Sequence, residues 1–427
     1  MKKHFTWFNV CALLVASLST GAAFAQEDEK SDLQYFRENN KNGLNVFETK
    51  KEPKGSFDKV RVFVGGDFAL QFQSISHSNS LNNLVDLGSN INLPSANLNI
   101  NTQLADGVRL HLRTYLSSRH HNESWVKGGH LQIDRLDFIK EGFLDGVMNY
   151  TTFTVGLDEF NYGDTHFRRS DNARAIFNPF IENFIMDAFT TEAFGEVTVQ
   201  KSGLIGVFGV TNGKLNQSVI VNDQTDNKLS VYGKLGYDKQ INEDFRLRIT
   251  GSGYVNNGTS TGTSLYGGDR AGARYYNVMA QPAPAAKNDF DGRFNPAFKQ
   301  MTALQLNPFV KFRGLEFFGV LESVSNSKDQ GDGQFTQLAA ELLYRFGARE
   351  QFYIGGRYNE VSGKNKASDT SEINITRMNV GGGWFMTKNI ILKMEYMDQQ
   401  YKSGYAATSK YNGGEFHGFN IEAAISF

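Results

Sequence analysis

The chain has little cysteine, and beyond its first 25 residues it has no long hydrophobic run. Its single cysteine is Cys11, so no disulfide framework, thiolate metal site or cysteine nucleophile is available to the residues that follow it. A membrane-spanning helix needs about 20 consecutive apolar residues, and no stretch after residue 26 offers them. The sequence therefore predicts no membrane helix, whereas a barrel that crosses the membrane with strands is not excluded.

Charge of one sign and proline are also scarce. The 44 basic side chains are matched by 45 acidic ones, a near balance that disfavours a nucleic-acid-binding protein acting through a basic field. Only 7 prolines occur, beside 43 glycines, 35 phenylalanines and 17 tyrosines. This mixture is unusual for stacked α/β domains and typical of a membrane β-barrel, in which only alternate residues must be apolar.

The first residues have the layout of a secretory signal peptide. Two lysines precede an apolar stretch at residues 10–18, and residues 23–25 (Ala-Phe-Ala) offer small side chains where a signal peptidase reads them. Cleavage before Gln26 is expected, which assigns residues 1–25 to the signal. A lipoprotein signal is disfavoured, because Cys11 lies at the front of the apolar stretch rather than behind it.

Residues 26–57 differ in composition from the rest of the chain. They are rich in charged and polar side chains, and residues 50–55 (Lys-Lys-Glu-Pro-Lys-Gly) have the composition of a linker. We expect a periplasmic lead-in without a core of its own, since such a composition cannot bury enough surface to fold alone. A solvated tail is favoured over an interaction arm on the same ground.

From Val60 onward the hydrophobic period is two, the signature of strands with two unlike faces. One such run alternates aliphatic residues with Arg109 and Arg113, and another does so with Arg246 and Arg248. An unpartnered arginine inside a small packed barrel would cost on the order of several kcal/mol. The alternation therefore predicts a wide barrel with an aqueous lumen.

Sixteen strands can be counted, an even number, as in bacterial single-chain barrels. The connections after the even-numbered strands are short, and those after the odd-numbered strands are longer, notably 159–187 and 257–300. The predicted fold class is all-β: a transmembrane antiparallel up-and-down β-barrel of about sixteen strands, with long external loops and short periplasmic turns, formed by residues 58–427. The expected strands are 59–74, 96–104, 107–117, 129–139, 149–158, 188–200, 203–212, 228–238, 245–256, 301–312, 315–325, 335–345, 351–361, 373–386, 390–400 and 414–427.

Aromatic residues cluster beside the short turns. An interfacial girdle of aromatic side chains explains such a cluster in a membrane barrel. The residues assigned to it are Phe245, Phe346, Phe352, Tyr353, Trp384, Phe385 and Phe427.

The chain resembles the Gram-negative outer-membrane porins at two places. The last strand, residues 418–427, alternates apolar residues and ends in Phe427, similar to the signal that the outer-membrane assembly machinery recognises in that family. The segment 156–164 follows the fifth strand, and in the sixteen-stranded trimeric porins the loop at this place folds into the barrel and narrows the pore. The resemblance implies that loop 159–187 constricts the pore and that the protein is a homotrimer.

In that family the constricting loop carries acidic side chains that face arginines on the wall. Here the loop also carries arginines, so the sign of the constriction stays open. Three interpretations remain: solvated charges or ion pairs that hold the loop to the wall, a transverse field without strong net preference, and anion selectivity. The expected constriction residues are Asp158, Glu159, Asp164, Arg168, Arg169 and Arg174, and the expected wall residues are Arg109, Arg113, Arg246 and Arg248.

The function expected from the sequence is that of a porin, a passive channel for small hydrophilic solutes and ions across the cell outer membrane. A porin selective for phosphate, other anions or a sugar is one alternative, and a plugged barrel that binds at its surface loops is another. The expected partners are outer-membrane lipids, the assembly machinery through Phe427, further copies in a homotrimer, and small hydrophilic solutes. No cofactor and no nucleic acid are expected.

Enzymatic and metal sites find little support in the sequence. His77 and the pair His120 and His121 are candidate bases, but proximity in sequence does not supply the hydrogen-bond geometry that a nucleophile and its base need. The histidine pair lacks a third metal ligand. Residues 329–333 (Asp-Gln-Gly-Asp-Gly) lack the ligand spacing of a calcium loop. No catalytic residue and no metal site are therefore assigned.

Overall fold

The computed structural model of the chain describes residues 33–52, 56–116, 124–171, 174–215, 218–223, 225–258, 265–267, 273–282 and 290–427. The expected signal peptide with Cys11 and the pair His120 and His121 lie outside the described residues. Within those ranges, no helix is long and apolar enough to cross a membrane.

Sixteen antiparallel strands form one closed barrel. Each strand pairs with its neighbours in the chain, and the last strand pairs with the first, with Asp67 opposite Ser426 and Ser78 opposite Glu415. Closure leaves no free sheet edge, so the backbone polar groups of the strands can be paired within the wall. The strands are β1 Arg61–Ser78, β2 Asn90–Ala105, β3 Val108–Leu116, β4 Trp125–Ile133, β5 Thr151–Asp158, β6 Glu192–Lys201, β7 Leu204–Thr211, β8 Ser230–Gln240, β9 Phe245–Asn256, β10 Met301–Phe312, β11 Leu315–Asn326, β12 Gln334–Phe346, β13 Phe352–Lys364, β14 Ile373–Phe385, β15 Ile390–Ser403 and β16 Glu415–Ser426.

The predicted fold class is confirmed, and each expected strand overlaps an observed one. The largest difference is at β4, which was expected at 129–139 and ends at Ile133. Asp134 leaves the ladder because its amide donates to the Gly107 carbonyl at 2.7 Å and its carboxylate accepts from the Thr152 hydroxyl at 2.6 Å. These contacts turn the chain at the barrel rim.

The two ends of the barrel differ as predicted. Two-residue turns join β2 to β3, β6 to β7 and β10 to β11 at one end, which we call the short-turn end. At the turn between β6 and β7, Ser202 and Gly203 both have positive φ, +52° and +92°, as a primed hairpin turn requires. The exception at this end is the connection 134–150, which contains the short helix α1, Asp145–Met148.

The wall has the two unlike faces that the period of two predicts. On β3, Leu110 and Leu112 point outward and are about two-fifths exposed, whereas Arg109 and Arg113 point inward and are buried. An apolar outer face suits lipid, and the polar residues line the interior.

The aromatic girdle is present in part. The outward rings of Tyr344, Phe346, Phe352 and Trp384 stack in a row, with centroids 5.6 to 6.1 Å apart. The assignment of Tyr353 and Phe385 to this girdle is wrong, because both side chains are buried inside the barrel. Each lies one residue from an outward aromatic residue, and neighbouring residues of a strand face opposite sides.

Candidate functional site

Three segments of the chain enter the interior of the barrel. The N-terminal segment (residues 33–52) lies toward the short-turn end, where the Lys41 amide donates to the carbonyl of Lys388 in the β14–β15 turn at 2.7 Å. The loop that is expected to constrict the pore at 159–187 runs from residue 159 to residue 191, between β5 and β6; we keep the name constriction loop for it, and it is buried along nearly its whole described length. The β9–β10 loop (residues 257–300) also turns inward, as its described parts contact the wall of the opposite strands. These segments and the inward wall residues form the candidate site.

Asp164 joins the constriction loop to strands β8 and β9. Its carboxylate accepts two hydrogen bonds from Arg248, both at 2.8 Å, one from Lys234 at 2.9 Å and one from Thr250 at 2.8 Å. Burial alone would raise the pKa of Asp164, but the charges of Arg248 and Lys234 outweigh it and hold that pKa below its ordinary value. The carboxylate is therefore ionised and anchors the loop to the wall.

Asp158 ends β5 and Glu159 begins the constriction loop, and both have basic partners. The Asp158 carboxylate lies 2.9 Å from Nδ1 of His130 and 3.5 Å from Nη1 of Arg113. Glu159 forms an ion pair with Arg174. Both acidic groups are thus close to positive groups, and neither points alone into open space.

Arg168 links three parts of the molecule. Its guanidinium donates to Oδ1 of Asn45 at 2.6 Å, to Glu316 at 2.9 Å and to Glu341 at 3.1 Å. Asn45 in turn donates to Glu316 at 2.7 Å. This cluster holds the N-terminal segment, the constriction loop and the wall strands β11 and β12 together.

Arg169 and Arg174 are held within the constriction loop. Arg169 pairs with Asp187 at 2.7 Å and with Asp171 at 3.0 Å, and its guanidinium lies 3.6 Å from the ring centroid of Phe189. Burial alone would lower the pKa of Arg169, but the charges of Asp187 and Asp171 raise it above its ordinary value. These partners fold the loop on itself.

The arginines of the wall strands lie on the inner face, but their surroundings differ. Arg248 forms ion pairs with three carboxylates, those of Glu48, Asp164 and Asp238. Arg246 pairs with Asp238 at 2.7 Å. Arg109 instead donates to Asn101 at 3.1 Å and Gln132 at 2.6 Å. Of the three interpretations that the sequence left open, this geometry favours ion pairs that hold the inserted segments to the wall.

The N-terminal segment is the largest part of the site that sequence reasoning missed. We expected a solvated tail, but Glu48 pairs with Arg248 at 2.7 Å and Lys234 at 3.3 Å, and Lys51 pairs with Asp134 at 2.7 Å. The polar composition that prevents a core of its own suits a lumen with polar walls. Its few apolar side chains were the available signal, and three of them are buried against the interior: Leu33, Tyr35 and Phe47.

Phe47 fills an apolar recess in this otherwise polar region. Its ring centroid lies 5.6 Å from that of Phe167 in the constriction loop and 5.3 Å from that of Phe309 on β10, both in edge-to-face geometry. Such pairs contribute about 0.5–1.5 kcal/mol beyond the area that they bury. Phe47 therefore packs the N-terminal segment against both the loop and the wall.

The β9–β10 loop was expected to be exposed, yet its described parts are largely buried. Arg274 pairs with Glu422 on β16 at 2.7 Å and donates to the carbonyl of Ser170 at 2.6 Å. Its amide donates to Glu182 at 2.6 Å. The loop therefore reaches the constriction loop from the long-loop side.

The interior is consequently not the open aqueous lumen that the alternation alone predicted. The expectation failed because it considered the wall only, whereas the inserted segments supply the carboxylates and carbonyls that satisfy the inward cations. Inward wall residues with at most 4% exposure are found on strands around the barrel: Gln71, Asn99, Lys127, Asp158, Arg248, Asn307, Glu322, Glu341, Arg357, Arg377, Glu395 and Glu422.

A cavity remains beside one part of the inner wall. A cavity of about 160 Å³ lies against β4, β5 and β6, between the wall, the N-terminal segment and the constriction loop. Thr154 and Glu196 line it from the wall, and His166 and Arg174 from the loop. Burial and the charge of Lys234 hold the pKa of His166 well below its ordinary value, so this imidazole is neutral at pH 7.

Those of the remaining candidates that the structure describes do not assemble into a catalytic or metal site. In the ranges that the structure describes, no three His, Cys, Asp or Glu side chains are placed to hold a metal ion. The ring of His77 contacts backbone groups: its Nε2 lies 2.6 Å from the carbonyl of Val85, and Nδ1 accepts from the amide of Met279 at 2.9 Å. His77 thus holds the β1–β2 loop against the β9–β10 loop.

Comparison with solved structures identifies the fold. The structure resembles the anion-selective porin of Comamonas acidovorans, with a TM-score of 0.52, 10% sequence identity, and coverage of 86% of this chain and 100% of that chain. It also resembles the outer-membrane channel DcaP of Acinetobacter baumannii (TM-score 0.51, 10% identity, 86% of this chain and 98% of that chain). For Salmonella typhi OmpF, described as a complex with daunomycin, the TM-score is 0.51 at 12% identity, over 86% of this chain and 97% of that chain.

These neighbours are sixteen-strand outer-membrane porins, and this chain has their fold. The sequence matches no protein-family model and no curated protein sequence. At this level of identity the likeness is one of architecture.

Replacement of Asp164 by asparagine tests the anchor of the constriction loop. We expect Asp164→Asn to lower the free energy of unfolding by about 3–5 kcal/mol, because Arg248 and Lys234 lose a buried counter-charge. A denaturant titration of the protein in lipid vesicles measures this value. Asp332→Asn is the matched control at an exposed turn and should change it by less than about 0.5 kcal/mol. Equal losses in the two variants would contradict the anchor.

The ionised state of Glu48 predicts a pH dependence. Burial alone would raise its pKa, but the charges of Arg248 and Lys234 outweigh burial and lower it from 4.5 to about 2. A group whose folded-state pKa is lowered stabilises the fold above its unfolded-state pKa, and this stabilisation is lost as the pH falls through the folded-state value. We expect the difference in free energy of unfolding between wild type and Glu48→Gln to be largest near pH 7 and to shrink between about pH 5 and pH 2. A difference that stays constant over this range would show that Glu48 is not an ionised partner.

Proposed function

We propose that this protein is an outer-membrane porin, a passive channel for small hydrophilic solutes and ions. The observation that carries the proposal is a closed sixteen-strand barrel whose outer face is apolar and whose inner wall is polar and charged. An apolar outer band suits a bilayer, and a polar interior suits water and polar solutes. A constriction loop that follows the fifth strand and is anchored by Asp164 supports the same function.

Passage in this proposal begins beside β4, β5 and β6, where the cavity of about 160 Å³ remains. A wider path requires that one of the inserted segments moves. The constriction loop continues into a strand at both of its ends, whereas the N-terminal segment continues into β1 at one end only. Movement of the N-terminal segment therefore disturbs the barrel least.

The location and the partners follow from the same proposal. The solved neighbours are outer-membrane proteins, which supports a place in the outer membrane with lipid around the apolar face. Phe427 at the end of the last strand remains our candidate for recognition by the assembly machinery. The homotrimer likewise remains a prediction, drawn from the resemblance.

A second candidate is a plugged barrel that binds a ligand at its outer loops. The filled interior favours it, and so does a cavity of about 260 Å³ at the long-loop end, where Arg293, Lys410 and Tyr411 are among the lining residues. Polar donors and aromatic rings in a concave site suit a small ligand. This candidate differs from the porin in predicting no conductance.

Planar-bilayer recording of the purified protein distinguishes these two functions. We expect stepwise conductance increments, because the N-terminal segment can leave without breaking the barrel. The reversal potential under a salt gradient gives the sign of any ion preference, and competing solutes test selectivity for phosphate or a sugar. Folding is checked beforehand by heat-modifiable electrophoretic mobility. Folded, inserted protein without conductance would favour the plugged barrel.

The arginines of the constriction loop give a test of the path. Replacing Arg168, Arg169 and Arg174 together by glutamine removes three positive charges and leaves their acidic partners behind, so we expect the anion-to-cation permeability ratio to fall. Reversal-potential measurements give this ratio. The matched control is the triple replacement of Arg61, Arg313 and Arg349 by glutamine near the short-turn rim, which should leave the ratio close to that of wild type. An unchanged ratio in the loop variant would place its arginines outside the conduction path.

A further inference from the structure

Glu48 meets the wall in the geometry of a bound carboxylate. Nη1 of Arg248 donates to one carboxylate oxygen at 2.7 Å and Nη2 donates to the other at 3.1 Å, while Nζ of Lys234 lies 3.3 Å from that second oxygen. Two parallel donors on two oxygens are the bidentate arrangement in which arginine recognises carboxylates. All three side chains are almost completely buried.

Within the set of ion pairs that Glu48 joins, positive and negative charges are equal in number only when its carboxylate is present. The ion pairs that meet here join three cations, Lys234, Arg246 and Arg248, to the carboxylates of Asp164, Asp238 and Glu48. Asp238 belongs to the wall and Asp164 to the anchored constriction loop, so neither leaves easily. Without Glu48 one positive charge is in excess, and a buried uncompensated charge favours any anion that can reach it.

Glu48 is also the one carboxylate of the cluster that lies outside both the sheet and the constriction loop. The N-terminal segment is not part of the sheet, in which each strand pairs with its two neighbours. The segment meets the wall mainly through side chains, as at Asn45 and Lys51, and it contains only one short 3₁₀ turn, Lys41–Gly43. The segment can therefore withdraw while the barrel wall and the cations of the site stay in place.

We propose that Lys234 and Arg248 form a binding site for small carboxylates, which the side chain of Glu48 fills while the N-terminal segment is docked. A carboxylate that enters the barrel competes with Glu48 for the same donors. Binding of the solute releases the segment and opens the short-turn end of the barrel. This inference rests on the proposed function in one respect, that solutes reach the interior.

Chemical complementation tests the site directly. Glu48→Ala removes the atoms that correspond to acetate, so acetate is the probe and acetamide its uncharged counterpart. Sodium acetate, exchanged for sodium chloride at constant ionic strength, should raise the thermal unfolding midpoint of Glu48→Ala in a concentration-dependent manner. Glu52→Ala is the matched control: it lies on the same segment, is exposed, and leaves Glu48 in place. It should show no such rise.

A second variant assigns the effect to the wall cations. The double variant Glu48→Ala with Arg248→Lys keeps the positive charge but loses the two parallel donors of arginine. The acetate concentration needed for the same rise in the thermal unfolding midpoint should therefore increase at least about tenfold. If that double variant does not fold, the comparison of Glu48→Ala with Glu52→Ala decides. Equal responses of those two variants, or an equal effect of acetamide, would overturn the site.

Docking of the segment is measured separately by thiol labelling. Because the chain has no cysteine beyond Cys11, Leu33→Cys introduces a single reporter at a position that is buried in the docked segment. We expect slow labelling with Glu48 intact and labelling at least roughly tenfold faster with Glu48→Ala. The reason is that the loss of the Glu48 contacts lowers the equilibrium constant for docking of the segment by about tenfold. Acetate should also accelerate labelling with Glu48 intact, whereas acetamide should not.

Equal labelling rates with and without Glu48 would overturn the proposed competition. Neither measurement requires conduction, so an absence of conductance in the bilayer would count against the porin and leave these results standing. A failure of acetate to bind would count against this site and leave the porin proposal standing.

Discussion

Charge compensation inside a closed wall is the constraint on which the rest of the structure depends. A strand with a period of two places every second side chain in the interior, and buried ions are costly unless they are paired. The wall cannot supply all the partners itself: Arg248 has Asp238 on the neighbouring strand, but its other counter-charges are Asp164 and Glu48. The inserted segments are therefore part of the electrostatics of the barrel, because they carry counter-charges that the wall lacks.

The elements that depend on local information could be predicted from the sequence. Alternation within one run is enough to identify a strand, and an even count with unequal connections is enough to identify an up-and-down barrel. The errors occur where the position of a residue is set by contacts with other strands or turns, which the pattern of its own strand does not contain. Strand β4 ends at Ile133 because Asp134 is hydrogen-bonded to Gly107 and Thr152. The side chain of Tyr353 points inward because the strand places neighbouring residues on opposite faces, and Phe352 faces outward.

Part of the membership of the candidate site could be predicted, but the N-terminal segment and the pairings of the charged residues could not. The count of strands predicts the place of the constriction loop. Ten charged residues, six at the loop and four on the wall, could be predicted as members of the site. Their partners were hidden because the contacts span long distances in sequence: Asn45 and Glu316 are 271 residues apart. The same polarity that made the N-terminal segment look like a solvated tail makes it compatible with a polar lumen, so composition alone could not distinguish the two environments.

The shared cations have a thermodynamic consequence for any channel built in this way. If a solute and Glu48 use the same donors on Arg248, each weakens the binding of the other by the same factor, since linkage is reciprocal. The apparent affinity for the solute is then its intrinsic affinity reduced by the fraction of molecules in which the segment has withdrawn. A tightly docked segment gives a closed barrel that opens only at high solute concentration, and a loosely docked one gives a pore that is open at rest. The strength of the Glu48 contact, more than the width of the barrel, would therefore determine how such a channel behaves.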